Sequence, residues 1–293
     1  MKQTILVTGA SGFLGSYLVE SLVNQCFNVV IVKRTTSNTK RINHLLGEVR
    51  IYNIDDFDFS PIFIQEKVDV IINTVCSYGR GNESLIDIVN SNLIFGLNLL
   101  EEAIKNNVKT FINTDSLLPR NINDYSLSKA QFTDWLCQRS KNIQVVNLKI
   151  EHMYGPKDDT KKFLPWLIKE MTNEKDDINL TSGIQRRDFI YITDIVDAYI
   201  LVIQKRKSFP NWTEFDVGTN VFTDVKTFVL TIAKELEKKN KVRIIPRLKF
   251  GSILYRKGDI MIPKLDNTKL INLGWVPKVS IIDGIQNVLK NKK

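Results

Sequence analysis

The chain opens MKQTILVTGASGFLG, and the apolar run Ile5-Leu6-Val7 leads straight into Thr8-Gly9-Ala10-Ser11-Gly12-Phe13-Leu14-Gly15. This reads as a strand, a glycine turn and the start of a helix. Glycine has no Cβ, so backbone N–H groups near Gly9, Gly12 and Gly15 can approach a bound group closely. The helix behind the turn adds aligned amides and a positive dipole end, which suits a phosphate. Ser11, Phe13 and Leu14 complete the candidate cradle. The spacing is G-x-x-G-x-x-G rather than the G-x-G-x-x-G of many dinucleotide-binding turns.

Further apolar runs follow at 29–32, 49–52, 70–72, 110–112 and 143–150, with helical stretches at 13–24, 39–46, 84–105 and 124–140 between them. Continuous apolar strands joined by helical crossovers predict a parallel sheet covered on both faces. Right-handed crossovers make it a doubly wound α/β Rossmann fold. After Tyr154-Gly155-Pro156 the pattern breaks into short strands and helices at 161–172, 193–204, 223–237 and 281–290. The expected organisation is a cofactor-binding domain over 1–155, with 188–204 returning to it. A smaller mixed α/β substrate lobe then covers 156–293.

Composition narrows the function classes. The 293 residues are 43% hydrophobic and 25% charged, an ordinary globular balance. No apolar run reaches the roughly 18 residues a membrane span needs. The first strand starts too early for a basic-then-apolar leader, so a cytoplasmic location is expected. The 3 cysteines, Cys26, Cys76 and Cys137, are widely spaced and suit buried thiols in a reducing compartment. With only 2 histidines, His44 and His152, no metal site is expected. The net charge of +9 is spread in short clusters, with no basic-aromatic repeat, so nucleic acid is not expected as a partner.

Strand 29–32 ends in Lys33-Arg34, with no acid nearby in the sequence. In a dinucleotide-binding fold, an acid here accepts from the ribose 2′-hydroxyl of NAD, and a basic residue pairs with the 2′-phosphate of NADP. Lys33 and Arg34 therefore favour NADP(H), with NAD(H) as the alternative. Asn53 and Ile54, ending the third strand, are expected to flank the adenine. Tyr125-Ser126-Leu127-Ser128-Lys129 puts a phenol and an ammonium on one helix face. A neighbouring ammonium lowers a phenol's pKa and fits it to exchange a proton with a carbonyl. His152 could donate to a phosphate or sugar oxygen.

Together these motifs resemble the extended short-chain dehydrogenase/reductases, the nucleotide-sugar epimerases, dehydratases and reductases. Arg186-Arg187-Asp188-Phe189-Ile190-Tyr191 with Asp194, and Leu273-Gly274-Trp275 with Pro277, extend the resemblance over essentially the whole chain. It implies that Thr114 orients the substrate oxygen, with Ser116 the second candidate. It also implies that Tyr125 and Lys129 form the catalytic pair, and that Asn92 lies at the cofactor. Asp115, Ser116, His152, Arg187 and Arg256 are expected on the substrate side, the arginines at the diphosphate. Dehydratases of this kind carry Thr-Asp-Glu where this chain has Thr114-Asp115-Ser116, so the missing Glu argues against dehydration.

The combination TDSLLPRN…YSLSK, EHMYGP and LTSGIQRRDFIY is most similar to the CDP-abequose and CDP-paratose synthases. That resemblance implies an NADPH-dependent 4-ketoreductase of O-antigen (lipopolysaccharide) deoxysugar synthesis. A dTDP-4-keto-6-deoxyhexose 4-reductase and an NAD-dependent nucleotide-sugar 4-epimerase are the alternatives. A homodimer through helices 84–105 and 124–140 is implied as well.

Overall fold

The computed structural model describes residues 2–173, 177–240, 244–256 and 258–290. The chain divides into two compact units, Met1–Ile150 with Val196–Val217, and Glu151–Ile195 with Gly218–Lys293.

Strands are numbered along the chain. The first unit holds β1 (Thr4–Thr8), β2 (Asn28–Lys33), β3 (Arg50–Asn53), β4 (Val70–Asn73), β5 (Thr110–Ser116), β6 (Gln144–Ile150) and β10 (Trp212–Val217). They form one sheet in the order β10-β6-β5-β4-β1-β2-β3, with every neighbouring pair parallel. The strand order reverses between β1 and β4, the kind of switch point where open α/β sheets bind ligands. β1 and β4 are buried along their whole length, as their uninterrupted apolar character requires. Helices α1 (Phe13–Asn24), α2 (Ser60–Gln65), α3 (Leu85–Val89), α4 (Phe95–Lys105) and α5 (Asp124–Arg139) connect the first six strands. Leu99, Phe111, Phe132, Leu136 and Val145 are fully buried in the core that includes α4 and α5.

One polar row crosses this sheet. Thr8, Asn73, Asn113, Asn147 and Glu214 are in register on β1, β4, β5, β6 and β10. Thr8, Asn73, Asn113 and Asn147 are at most 3% exposed. Each finds a side-chain partner, as buried polar groups must.

The differences from the sequence reading are local. The helix expected over 84–105 is broken by a π-turn at Asn90–Ile94 between α3 and α4. The helix expected over 39–46 is a single 3₁₀ turn at Asn43–Leu45. β10 was not foreseen, because its alternating Trp-Thr-Glu-Phe-Asp-Val pattern belongs to an edge strand rather than a doubly covered one. The cysteines are free, but Cys26 and Cys137 are exposed rather than buried. Each closes a helix at its polar surface end, Cys26 just beyond α1 and Cys137 in the last turn of α5.

The second unit holds β7 (His152–Tyr154), β8 (Ile178–Leu180), β9 (Arg186–Tyr191), β11 (Phe222–Asp224) and β12 (Leu248–Phe250). β9 lies between antiparallel β11 and parallel β7, and β12 pairs with β8. The chain passes back to the first unit within α7 (Ile192–Lys205). The helices α6 (Phe163–Thr172), α8 (Val225–Asn240), α9 (Thr268–Asn272) and α10 (Ile281–Lys290) complete it. Phe189 and Phe228 stack at 3.7 Å, and Tyr154 meets both Tyr191 and Phe228 edge-on. The Trp275 indole donates to the Asp194 carbonyl at 2.9 Å, while the Asp194 carboxylate accepts from the Val279 amide at 3.1 Å. Buried Asp188 accepts from the Thr219 amide and hydroxyl and from the Asn220 amide, so it fixes that turn. Among the described residues no helix is long and apolar enough to cross a membrane.

Candidate active site

The glycine turn has the shape its spacing predicts. Gly9 has φ +67°, and a Cβ there would lie 2.5 Å from Thr74 Oγ1. A Cβ on Gly15 would lie 2.2 Å from the Gly9 carbonyl oxygen, so helix and turn close only around glycine. Helix α1 begins after Gly12 with no side-chain cap and no acid in its first turn. A cradle of backbone too tight for any side chain, ending at a helix start without an acid, fits a dinucleotide pyrophosphate. Phe13 and Leu14 turn their side chains into the core, so their share in the cradle is backbone.

Lys33 is half-buried and Arg34 is exposed at the end of β2. The structure adds two groups there. Arg41 reaches back to donate from Nη1 to the Ser11 carbonyl at 3.3 Å. Asp55, from the segment after β3, accepts from the Thr35 amide at 3.0 Å and hydroxyl at 2.6 Å. An acid is thus brought beside this strand end, which the sequence alone did not place. Asn53 is exposed, while Ile54 is 7% exposed and packs into the core.

Asn92, expected at the cofactor, is bonded within the protein. It sits in the π-turn, 2% exposed, and its amide is used within the protein. It accepts from the Ser77 amide at 2.7 Å and donates to the Ser77 carbonyl and the Ser128 hydroxyl, each at 2.9 Å. Both amide hydrogens are therefore committed. Its role is to clamp the segment after β4 to α5.

That segment carries Cys76, Tyr78 and Arg80. The Tyr78 ring lies 4.9 Å from the Tyr125 ring, and the Arg80 guanidinium lies 5.1 Å above Tyr78. Tyr125 stands in the first turn of α5, which starts at a capping box. Asn123 accepts from the Ser126 amide at 2.9 Å, and the Ser126 hydroxyl accepts from the Asn123 amide at 3.1 Å. Burial pushes the Tyr125 phenol well above its ordinary pKa, with the charges of Cys76 and Asp115 adding to the effect. A hydrogen bond with Ser116 and the charge of Arg80 oppose it. Without a cofactor's positive nicotinamide ring beside it, these surroundings favour the neutral phenol. The Lys129 side chain, 3% exposed, donates to the Thr114 carbonyl.

The hydroxyl placed with Tyr125 is that of Ser116. Thr114 Oγ1 is 2.6 Å from the Tyr199 hydroxyl on α7, a partner the sequence reading missed. Asp115 was expected on the substrate side. Its carboxylate instead turns inward to Thr133 and Asn147, because strand alternation sends it to the opposite face from Thr114 and Ser116.

In the second unit, Arg187 Nη2 meets Asp259 at 2.5 Å, and Nη1 donates to the Ile260 and Arg186 carbonyls. The turn carrying Arg256 is thereby joined to β9. Arg256 is exposed, its carbonyl accepts from the Asp259 amide at 3.1 Å, and Lys257 lies outside the described residues. His152 is exposed, with Nδ1 2.7 Å from Glu151 Oε2. Among the described residues no group of His, Cys, Asp and Glu could hold a metal.

The chain is similar to known proteins over its whole length. The chain is 31% identical to the CDP-abequose synthase of Salmonella typhimurium, covering 99% of this chain and 98% of that protein. The CDP-abequose synthase of Salmonella muenchen is 28% identical over 100% and 99% of the two chains. Among solved structures, the UDP-glucose 4-epimerase of Thermotoga maritima with UDP-glucose superposes with a TM-score of 0.83. It is 24% identical and covers 99% and 98% of the two chains. The dTDP-glucose 4,6-dehydratase of Bacillus anthracis in complex with NAD gives 0.83 at 19% identity, covering 98% and 96%. The family model that matches residues 5–218 runs from β1, through the glycine turn, Tyr125 and Lys129, to the end of β10. A nicotinamide-type cradle, a tyrosine–lysine pair and full-length relatives agree, and the chain belongs to the NAD dependent epimerase/dehydratase family.

Proposed function

We propose that the chain is an NADPH-dependent 4-ketoreductase of a nucleotide-activated 4-keto-deoxyhexose, with CDP-4-keto-3,6-dideoxyglucose the first substrate to test. The observation that carries this reading is the end-to-end similarity to CDP-abequose synthases, joined to the Tyr125–Lys129 pair on α5 at the end of β5. A reductase needs an acid at the substrate carbonyl, and a tyrosine phenol is in the acid form at neutral pH.

A nicotinamide cofactor, its pyrophosphate held at the Gly9–Gly15 turn, would supply the hydride when bound. Ser116 and Thr114 orient the sugar carbonyl, and Tyr125 gives its proton to the oxygen as the alkoxide forms. Lys129 braces the end of β5 through the Thr114 carbonyl and would hold the nicotinamide ribose. Ser116 stands where a dehydratase would carry a carboxylate, so no base is placed to remove the C5 proton. Arg187 and Arg256 of the second unit bind the diphosphate. For that, Arg187 must share its charge between Asp259 and the incoming anion.

A second reading, an NAD-dependent 4-epimerase, draws support from Asp55 beside the β2 end. The experiment that separates them is turnover with NADPH, NADH or tightly held NAD on a panel of nucleotide 4-keto and 4-hydroxy sugars. A reductase consumes reduced cofactor in proportion to product, whereas an epimerase does not. We also propose a cytoplasmic homodimer. Its support is the exposed apolar set Leu85 and Ile86 on α3 with Leu127 and Trp135 on α5, each more than a third exposed. Sedimentation of wild type against Trp135→Glu tests it, and a wild-type monomer refutes it.

A further inference from the structure

Asp115 is a buried carboxylate that the proposed chemistry leaves idle. It is 8% exposed. Its Oδ2 accepts from Thr133 Oγ1 at 2.8 Å and Asn147 Nδ2 at 3.0 Å, and its Oδ1 accepts from the Ser116 amide at 2.8 Å. The polar row of the sheet runs toward it. The Thr8 hydroxyl donates to Asn73 at 2.7 Å, Asn73 to Asn113 at 3.4 Å, and Asn113 to Asn147 at 2.8 Å, and Asn147 donates to Asp115. In each of these four bonds the donor points toward the carboxylate, and Asn147 also donates to Glu214 at 3.5 Å. Such a chain polarises along its length and favours an anion at its end.

Tyr125, Lys129 and Thr133 lie four residues apart, on one face of α5. Two of them are hydrogen-bonded to the end of β5, Lys129 to the Thr114 carbonyl and Thr133 to Asp115, and the Ser116 hydroxyl acts on the Tyr125 phenol. Two successive helix turns are thus fixed to two successive strand residues beside the turn that carries Tyr125. We propose that Asp115 is a positioning residue for the proton transfer: its carboxylate, tied to α5 by Thr133 and to the asparagine row by Asn147, seats Ser116 against Tyr125 and sets a fixed negative charge behind the phenol.

The charged and titratable groups around this pair are known. Tyr125 faces Cys76, Tyr78 and Arg80 from the segment after β4, Asp115 from β5, and Lys129 from its own helix. Asp115 has Lys149 as its register neighbour on β6. Lys149 is engaged by Glu214 at 3.3 Å and Asp216 at 3.0 Å on β10. Tyr199 on α7 also feels the Asp115 charge. A negative neighbour disfavours phenolate, so removing it lets the phenol ionise at lower pH.

The inference rests on Tyr125 being the proton donor, and its test has a readout independent of substrate. Asp115→Asn in the full chain is titrated by NMR of ¹³C-labelled tyrosine, with the Tyr125 signal assigned through Tyr125→Phe. Ionisation of Tyr125 is expected about one pH unit earlier than in wild type. The alkaline limb of kcat should move with it, while KM stays nearly constant. Thr133→Val keeps the charge and removes an anchor. It should lower kcat about tenfold and leave the titration in place. An unchanged Tyr125 titration in Asp115→Asn overturns the proposal. Should that variant not fold, an unchanged kcat in Thr133→Val overturns it alone. If the titration moves but no keto sugar is reduced, the positioning role stands and the reaction class falls.

Discussion

At the scale of single residues, the proposed reaction puts the proton transfer on Tyr125, whose environment would set the pH at which it works. Burial and the neighbouring acidic groups hold the phenol neutral. The acid form is the one reduction consumes, so the rate should be flat through neutral pH and fall only on the alkaline side. Tyr125→Phe keeps the ring beside Tyr78 and removes the proton. Its kcat should drop by about 10²–10⁴-fold with nucleotide affinity nearly intact, as steady-state rates and titration calorimetry would show. Near wild-type turnover would remove Tyr125 from the mechanism. Lys33 and Arg34 decide the cofactor in the same reading. Changing both to uncharged residues should raise KM for NADPH far more than KM for NADH. Equal effects would mean that Asp55 rather than the cations meets the adenosine ribose.

At the scale of elements, the start of α5 is the part on which the site depends most. Asn123 and Ser126 cap each other and fix the turn that carries Tyr125. Asn123→Ala should cost about 0.5–2 kcal/mol of stability, read from denaturant unfolding. It should lower kcat more than that loss of stability explains, because the frayed turn holds the phenol. Much of this was legible in the sequence. The glycine spacing announced the turn, the apolar runs announced the first six strands of the sheet, and Tyr-x-x-x-Lys announced one helix face. The π-turn was not legible. It arises because Asn92 turns inward to Ser77 and Ser128, and neither contact leaves a local signal. The direction of Asp115 was readable from strand alternation. Its partners Thr133 and Asn147 were not, since they lie 18 and 32 residues away. Arg41 and Tyr199 were missed for the same reason.

At the scale of the whole molecule, the proposed function assigns the cofactor and proton donor to the first unit and nucleotide recognition to the second. Arg187 is joined to the Arg256 turn through Asp259, so these two motifs act as one device. Arg187→Ala should weaken CDP and the keto sugar alike, by about ten- to a hundredfold, with NADPH affinity unchanged in calorimetry. A loss confined to NADPH would move these arginines to the cofactor. The central claim is net reduction at the sugar C4. The most direct measurement uses NADPH deuterated at the transferring position, mixed with enzyme and CDP-4-keto-3,6-dideoxyglucose, with products read by NMR. The account predicts deuterium at C4 of the CDP-dideoxyhexose and one NADP⁺ formed per sugar. Undeuterated sugar isomerised without cofactor consumption, or no turnover while the corresponding dTDP-4-keto sugar is reduced, would contradict it.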